Sequence, residues 1–310
     1  MRQIPIFDTN IFGHVQDGLI PQKDWRCLLR HRPGHGWPLS AVTAVELLAG
    51  FQHPQSERFL EQKVQIELAC QLSKGRIHEE PRVLFCKEVL RMSFPHPQLP
   101  IELISDYLTV VRLAKSMQDI LAKRVRVNRL MTKGLGHSGF SGFGPAGIEL
   151  LVSGPKNSWK EIIENLATDN FPSWREHFQQ TGKRLPDELR RDAEVRLNSH
   201  TERLKLAASF LQWLNGSTEP TSVEEVAKRL DAVIELTLFV LREFLLREYN
   251  LEKHDSDVYD QFQLYYLLLD RFVIVSADSD LTKRTIRSTQ KDRILPFEAF
   301  LQKLRQGSFH

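Results

Sequence analysis

The chain has 310 residues, of which 41% are hydrophobic and 26% charged, so it is long enough for one large domain or two modest ones around an apolar core. Its formal net charge of +3 neither requires nor excludes a nucleic-acid partner. Its odd number of cysteines, three, fits a reducing cytoplasm better than a disulfide framework. We see no signal peptide, and the longest apolar segment, 232–246, is shorter than a bilayer span and carries charges, so we expect a cytoplasmic protein without a membrane partner.

The first 50 residues alternate between strand and helix. The apolar run Ile4–Phe7 predicts the first strand, Trp37–Ala41 a second short strand, and Val42–Gly50 a helix. This helix carries Thr43 and Glu46 on one face, because residues three apart are neighbours on a helix surface.

The central 200 or so residues have almost no strand signal. Apolar residues recur there at helical spacing, near 56–74, 81–92, 101–131, 158–168, 186–214 and 222–249. We therefore predict that residues 51–249 form a large all-helical insertion.

The last 60 residues return to the alternating pattern. A helix is predicted from Asp257 through Leu269, a strand over Phe272–Val275, then a basic helix or loop and a final strand at Arg293–Leu295. Strands that alternate with helices favour a parallel sheet flanked by helices. The predicted fold is therefore an α/β domain, made of residues 1–50 and 250–310 and split by the helical insertion.

Acidic residues recur at related places in both halves of this domain. Asp8 follows the first strand, Glu46 lies in the first helix, Asp260 lies in the later helix, and Asp278 follows the strand over 272–275. Ligand sites in open α/β sheets form beyond the carboxyl ends of the strands. Two acids at strand ends and two on helices would surround a Mg²⁺ or Mn²⁺ ion with the oxygen ligands that it prefers.

These motifs, taken as a set, resemble those of the PIN-domain nucleases. They are an apolar strand followed by Asp-Thr-Asn at 8–10, Ser-x-x-Thr-x-x-Glu-Leu at 40–47, and an Asp 18 positions before the Asp of a strand–Ser-x-Asp motif. The resemblance implies a PIN-like sheet whose acids bind divalent metal. The acids so implied as catalytic metal ligands are Asp8, Glu46, Asp260 and Asp278, and the supporting side chains that would orient them are Thr9, Asn10, Thr43 and Ser276.

The third acid has competitors in the sequence. Asp255 and Asp257 lie close to Asp260, which we prefer because its spacing to Asp278 fits the motif. Asp257 is better explained as a helix N-cap. Asp280 could be a fifth, peripheral acid.

The function implied is that of a metal-dependent endoribonuclease, in which carboxylate-bound Mg²⁺ or Mn²⁺ activates water for phosphodiester hydrolysis. Lys283, Arg284 and Arg287 follow the fourth acid and could bind flanking phosphates, although a basic helix face is equally often just solvated. The expected partner is single-stranded or structured RNA, with DNA left open, and the insertion could mediate homo-oligomer formation. Two alternatives stay open: a PIN-like nucleic-acid or protein-binding module with weak or no catalysis, and the toxin component of a toxin–antitoxin pair.

Overall fold

The computed structural model describes residues 3–49, 51, 58–95, 101–122, 160–168, 186–215, 222–246 and 257–309, together with positions 173, 176, 177 and 180. The chain is mixed α/β and mostly helical, with a small parallel sheet of three strands. The predicted α/β class with a parallel sheet is confirmed at this level. Asp255 and the end of the helix predicted over 101–131 lie outside the described residues.

The elements are numbered in chain order. The strands are β1 (Ile4–Phe7), β2 (Leu39–Ser40), β3 (Ile77–His78), β4 (Phe272–Ser276) and β5 (Ile294–Pro296). The helices before residue 123 are α1 (Thr9–Gln16), α2 (Gln22–His31), α3 (Ala41–Ala49), α4 (Phe59–Ser73), α5 (Pro81–Phe85, continued by a π-helical turn at Cys86–Leu90), α6 (Ile101–Leu113) and α7 (Met117–Ala122). The later helices are α8 (Asp187–Leu197), α9 (His200–Asn215), α10 (Val223–Arg229), α11 (Asp231–Leu246), α12 (Asp257–Leu264, continued by a 3₁₀ turn at Tyr265–Leu268), α13 (Ser279–Arg284) and α14 (Phe297–Arg305), with a 3₁₀ turn at Lys291–Arg293 and a further helical segment over 160–168.

Strand β4 is the centre of the three-stranded sheet. It pairs in parallel with β1 on one side and β5 on the other, and all five of its residues are buried, as expected for a parallel strand covered by helices. The register places Phe7 beside Val275. The residues that follow these two therefore leave the sheet at the same edge.

Within its described residues, the region predicted to be all helical contains one short strand, β3, which pairs in parallel with β2. It forms because Lys74 and Gly75 adopt left-handed backbone conformations, which end α4 and turn the chain back. Gly36 permits the approach, since a Cβ there would lie 2.6 Å from the carbonyl oxygen of Ser73. Two residues are too few to give a periodic signal in the sequence.

The helix predicted over 257–269 changes character in its last turn, where α12 gives way to a 3₁₀ turn. Side chains from the later chain bind the carbonyl groups there. The amide of Gln290 and the guanidinium of Arg293 both donate to the Leu267 carbonyl oxygen, at 2.9 Å each. These bonds satisfy a carbonyl that a continued α-helix would have bonded internally.

Helices of the predicted insertion pack against the N-terminal elements. Helix α4 contacts α1, and α6 contacts α3 and α4, so their apolar side chains belong to one continuous core. Helix α11 is buried over most of its circumference, as its apolar sequence predicted. The division at residues 50 and 250 stays a prediction. Within the described residues, we find no helix with both the length and the apolar character that a membrane span requires.

Candidate functional site: an acidic cluster at the sheet edge

The carboxyl ends of β1 and β4 bring Asp8 and Ser276 together. The backbone N–H of Asp8 donates to the Val275 carbonyl oxygen at 2.9 Å, which extends the strand pairing by one residue. The Ser276 hydroxyl then donates to Asp8 Oδ2 at 2.7 Å. Two side chains 268 positions apart in sequence are thus in direct contact at the edge where the sequence predicted a site.

The carboxylate of Asp8 is buried, with 3% of the residue exposed, and it is surrounded by donors. It accepts hydrogen bonds from the Thr9 N–H at 2.7 Å, from Asn10 Nδ2 at 2.6 Å and from Gln263 Nε2 at 3.2 Å, in addition to Ser276. Burial raises the pKa of Asp8 above its usual value, and the hydrogen bonds from Ser276, Gln263 and the Thr9 N–H offset part of that rise because they favour the charged form.

Asn10 joins the start of α1 to the end of β4. Its Nδ2 also donates to Ser276 Oγ at 3.1 Å, while its Oδ1 accepts from the Ala277 N–H at 2.9 Å. Both ends of the amide are therefore fixed. Asn10 and Ser276 lie where they can orient the Asp8 carboxylate, as the family resemblance implied.

Thr43 has a different setting from the one expected. Its hydroxyl donates to the Phe7 carbonyl oxygen at 2.8 Å, and its N–H donates to Ser40 Oγ at 2.8 Å, so it ties α3 to β1. Gln263 Nε2 lies 3.4 Å from Thr43 Oγ1 and 3.2 Å from Asp8 Oδ1. Thr43 thus supports Asp8 through the Gln263 amide and the strand, and not by a direct bond to its carboxylate.

Glu46, one turn further along α3, accepts a hydrogen bond from the Thr9 hydroxyl. Thr9 therefore contacts two acids, with its N–H on Asp8 and its hydroxyl on Glu46. This links the start of α1 to α3.

Asp260 lies near both of these acids. Its pKa is raised well above the usual value, first by burial and then by the negative charges of Asp8, Glu46 and Asp257. Its side chain keeps 22% of its surface exposed. Asp8, Glu46, Asp260 and Asp278 are called the acidic cluster from here on.

The remaining competitor for the third acid, Asp257, is paired with a base. Arg284 Nη1 lies 2.6 Å from Asp257 Oδ1 and 4.0 Å from Asp260 Oδ2. Asp257 is 3% exposed and is the first residue of α12. Arg284 was expected to contact flanking phosphates, but its side chain is only 17% exposed and turns toward the acids because α13 packs against α11 beside α12.

Asp278 is the N-cap of α13, and its Oδ1 accepts from the Asp280 N–H at 2.7 Å. Its own N–H donates to Ser276 Oγ at 2.9 Å, and its negative charge adds to the rise in the pKa of Asp8. Asp280 instead points away from the cluster. It is 59% exposed and pairs with Lys283 at 2.8 Å, a hydrogen bond that lowers the pKa of Asp280.

Arg287, the last of the three predicted phosphate ligands, is exposed and donates to Asn198 Oδ1 at 2.8 Å. Lys283 is also on the surface, with 70% of its side chain exposed. Both cations are therefore on the surface, whereas Arg284 is turned inward.

The donor set can be tested for its fit to a metal. Four carboxylates, whose mutual repulsion acts with burial to raise the pKa of Asp8 and Asp260, match the hard oxygen ligands of Mg²⁺ and Mn²⁺. The four carboxylates lie further apart than the ligands of a filled metal site. Within the described residues, no group of three His, Cys, Asp or Glu side chains could hold a metal ion without moving. The chemistry fits such an ion, and binding requires rotation of the side chains toward one another.

Gln263 and Arg284 are the participants whose contacts the sequence did not predict. Gln263 is fully buried. The sequence predicted it only as one position of the inward-facing side of α12. A polar residue in an apolar helical stripe was the available signal, because buried amides need partners. Nothing in the sequence near Arg284 distinguishes it from its exposed basic neighbours.

Comparisons with known proteins give no further identification, since no family model, no curated protein and no solved structure matches the chain.

Proposed function

We propose that the protein is a divalent-metal-dependent nuclease with a PIN-like core, and that it hydrolyses phosphodiester bonds in RNA. One observation carries the proposal. Carboxylates from the end of β1, from α3, from α12 and from the end of β4 gather at one sheet edge, where the charge of Asp278 adds to the raised pKa of Asp8 and the charges of Asp8 and Glu46 add to that of Asp260. Such an arrangement destabilises the metal-free protein, and a bound cation relieves it.

Asp8, Glu46, Asp260 and Asp278 would hold the ion. A bound Mg²⁺ or Mn²⁺ would supply hydroxide from water at neutral pH and shield the phosphate oxygens. The protein's own contribution is orientation. Ser276, Asn10 and Gln263 hold the Asp8 carboxylate in one orientation, and Thr9 holds Glu46 beside it, so that only modest rotations are needed to converge on an ion.

Two exposed cations that follow the fourth acid in the chain suit an anionic substrate. Lys283 and Arg287 would contact phosphates on either side of the reacting one. RNA is preferred over DNA on the strength of the motifs that resemble PIN-domain nucleases. The free thiols of Cys27, Cys70 and Cys86 support a reducing compartment such as the cytoplasm.

The test is hydrolysis of unstructured and structured RNA with and without millimolar Mn²⁺. We expect the Asp278→Asn variant to lose activity by about 100-fold or more, because it removes a direct ion ligand and not merely an outer support. Asp280→Asn is the matched control, since it makes the same change two positions away on an exposed side chain. Equal activity of all three proteins would trace the hydrolysis to a contaminant and reject the site.

A second candidate is a binding module that keeps the fold without the chemistry, and the wide spacing of the acids favours it. Thermal unfolding separates the two. An ion that binds the folded state raises the melting temperature by mass action, and Asp8→Asn should abolish that rise. RNA binding without any Mn²⁺-dependent rise in melting temperature would support the binding module.

A further inference from the structure

Two aspartates compete for one position in the cluster. Asp257 and Asp260 are three residues apart on α12, so they share a face of the helix, and the charge of Asp257 raises the pKa of Asp260. Either carboxylate could turn toward an ion bound at the sheet edge. They differ in their distance to Arg284 and in their exposure, since 5% of the Asp257 side chain is exposed and 22% of the Asp260 side chain.

The guanidinium of Arg284 is held from two sides. Its Nη1 donates to Asp257 Oδ1 at 2.6 Å, which is the length of a strong charge-assisted hydrogen bond. Its central carbon lies 5.4 Å from the ring centroid of Phe239 on α11, within range of a cation–π contact. The same nitrogen is 4.0 Å from Asp260 Oδ2, too far for a hydrogen bond.

We propose that Arg284 is a positioning residue that selects the third carboxylate ligand, by pairing with Asp257 and so leaving Asp260 to the ion. This inference rests on the proposed function. A carboxylate in a charge-assisted pair that is almost fully buried is held in one orientation, whereas Asp260 is partly exposed and only attracted at a distance. Arg284 and Asp257 also neutralise each other, so their pair changes the net charge of the cluster little.

The test is Mn²⁺ affinity by isothermal titration calorimetry on the full chain, which does not depend on substrate or turnover. Asp260→Asn should weaken Mn²⁺ binding by about tenfold or more, as loss of a ligand does. In Arg284→Gln/Asp260→Asn, Asp257 is released and we expect the affinity to recover by about tenfold over Asp260→Asn alone. Adding Asp257→Asn should remove the recovery again.

The added Asp257→Asn substitution distinguishes binding of the ion by Asp257 from a general effect of the lost positive charge. If the recovery came only from the loss of a nearby positive charge, it would persist without Asp257 and the inference would be wrong. Arg287→Gln combined with Asp260→Asn is the matched control, since it removes an exposed arginine that contacts Asn198. It should give no recovery.

A neutral replacement of the whole pair guards against misfolding. Asp257→Asn/Arg284→Gln leaves no unpaired buried charge, so it should fold, and we expect its Mn²⁺ affinity to stay within about threefold of wild type, the usual limit for sites that do not interact. A loss as large as that of Asp260→Asn would make Asp257 a ligand and overturn the inference. If the wild-type protein itself binds no Mn²⁺, the proposed function fails and the inference with it, whereas wild-type binding without recovery rejects the inference alone.

Discussion

Replacing Ser276 by alanine tests whether Asp8 is held as a charged, buried carboxylate. The Ser276 hydroxyl donates to Asp8 Oδ2 at 2.7 Å and accepts from Asn10 Nδ2 at 3.1 Å and from the Asp278 N–H at 2.9 Å. Ser276 is 2% exposed, so water has little access to replace the hydroxyl. A hydrogen bond to a charged group contributes about 1.5–3 kcal/mol, and we expect the free energy of unfolding of Ser276→Ala to fall by about 2–3 kcal/mol at pH 8.

The loss should depend on pH. Among the bonds that lower the pKa of Asp8, the one from Ser276 has the largest effect, so its removal raises that pKa further above the usual value. A raised pKa in the folded state means that stability is present at low pH and is lost as the pH rises through that pKa. The difference between variant and wild type should therefore be small near pH 4 and largest at pH 8, as measured by urea unfolding followed by circular dichroism.

Thr285→Val provides the control for a buried hydroxyl outside the cluster. The Thr285 hydroxyl donates to the Leu281 carbonyl oxygen at 2.8 Å, and the residue is fully buried. Loss of this hydrogen bond between uncharged groups should lower the free energy of unfolding by about 1 kcal/mol at every pH. If Ser276→Ala loses the same free energy at pH 4 and pH 8, Asp8 is not ionised in the folded protein and the argument for a charged cluster fails.

Three further predictions follow from the same contacts. Asp260→Asn should raise the melting temperature in EDTA at pH 8 by a few degrees, because it removes the repulsion from Asp8 and Glu46. The scale is about 2–4 °C for each kcal/mol gained in the free energy of unfolding. A lower melting temperature would contradict this. The wild-type protein in EDTA should lose stability as the pH rises from about 4 to 8, because Asp8 and Asp260 both have raised pKa values. Adding Mn²⁺ should reduce that loss. A urea midpoint that stays constant across this pH range would argue against the prediction. Arg293→Met should lower the free energy of unfolding by about 2–4 kcal/mol, since it leaves the carbonyl groups of Leu267, Leu269 and Phe272 without their guanidinium donor. Hydrogen exchange in this variant should be fastest around β4.

The sheet and its edge could be predicted because their signals are local. Apolar runs such as Phe272–Val275, bounded by polar residues and followed by helical spacing, indicate a buried parallel strand. Strands that run parallel end at the same edge, so the meeting of Asp8 with Ser276 followed without knowledge of the intervening 200 residues. The limits of the strands predicted over 4–7, 272–275 and 293–295 fell within one residue of the observed ones.

The contacts that distinguish similar residues could not be predicted, because they depend on packing between distant elements. Arg284 and Arg287 lie on one short basic stretch, yet one faces the acids and the other contacts Asn198. Asp257 and Asp260 lie on one face of α12, yet Asp257 is the one that receives Arg284. The pairing of β2 with β3 was missed since a two-residue strand has no periodicity.

The two ends of the cluster are stabilised differently, and this bears on how an ion would enter. At the strand end, neutral donors from Ser276, Asn10 and Gln263 hold the Asp8 carboxylate in place without pairing it with a cation. At the helix end, among the described residues, Asp260 has the distant attraction of Arg284 against three repelling acids. A fixed carboxylate cannot move toward an ion at low cost, whereas a partly exposed and repelled one gains by moving. The convergence that metal binding requires should therefore come from the side of α12, with Asp8 as the stationary ligand.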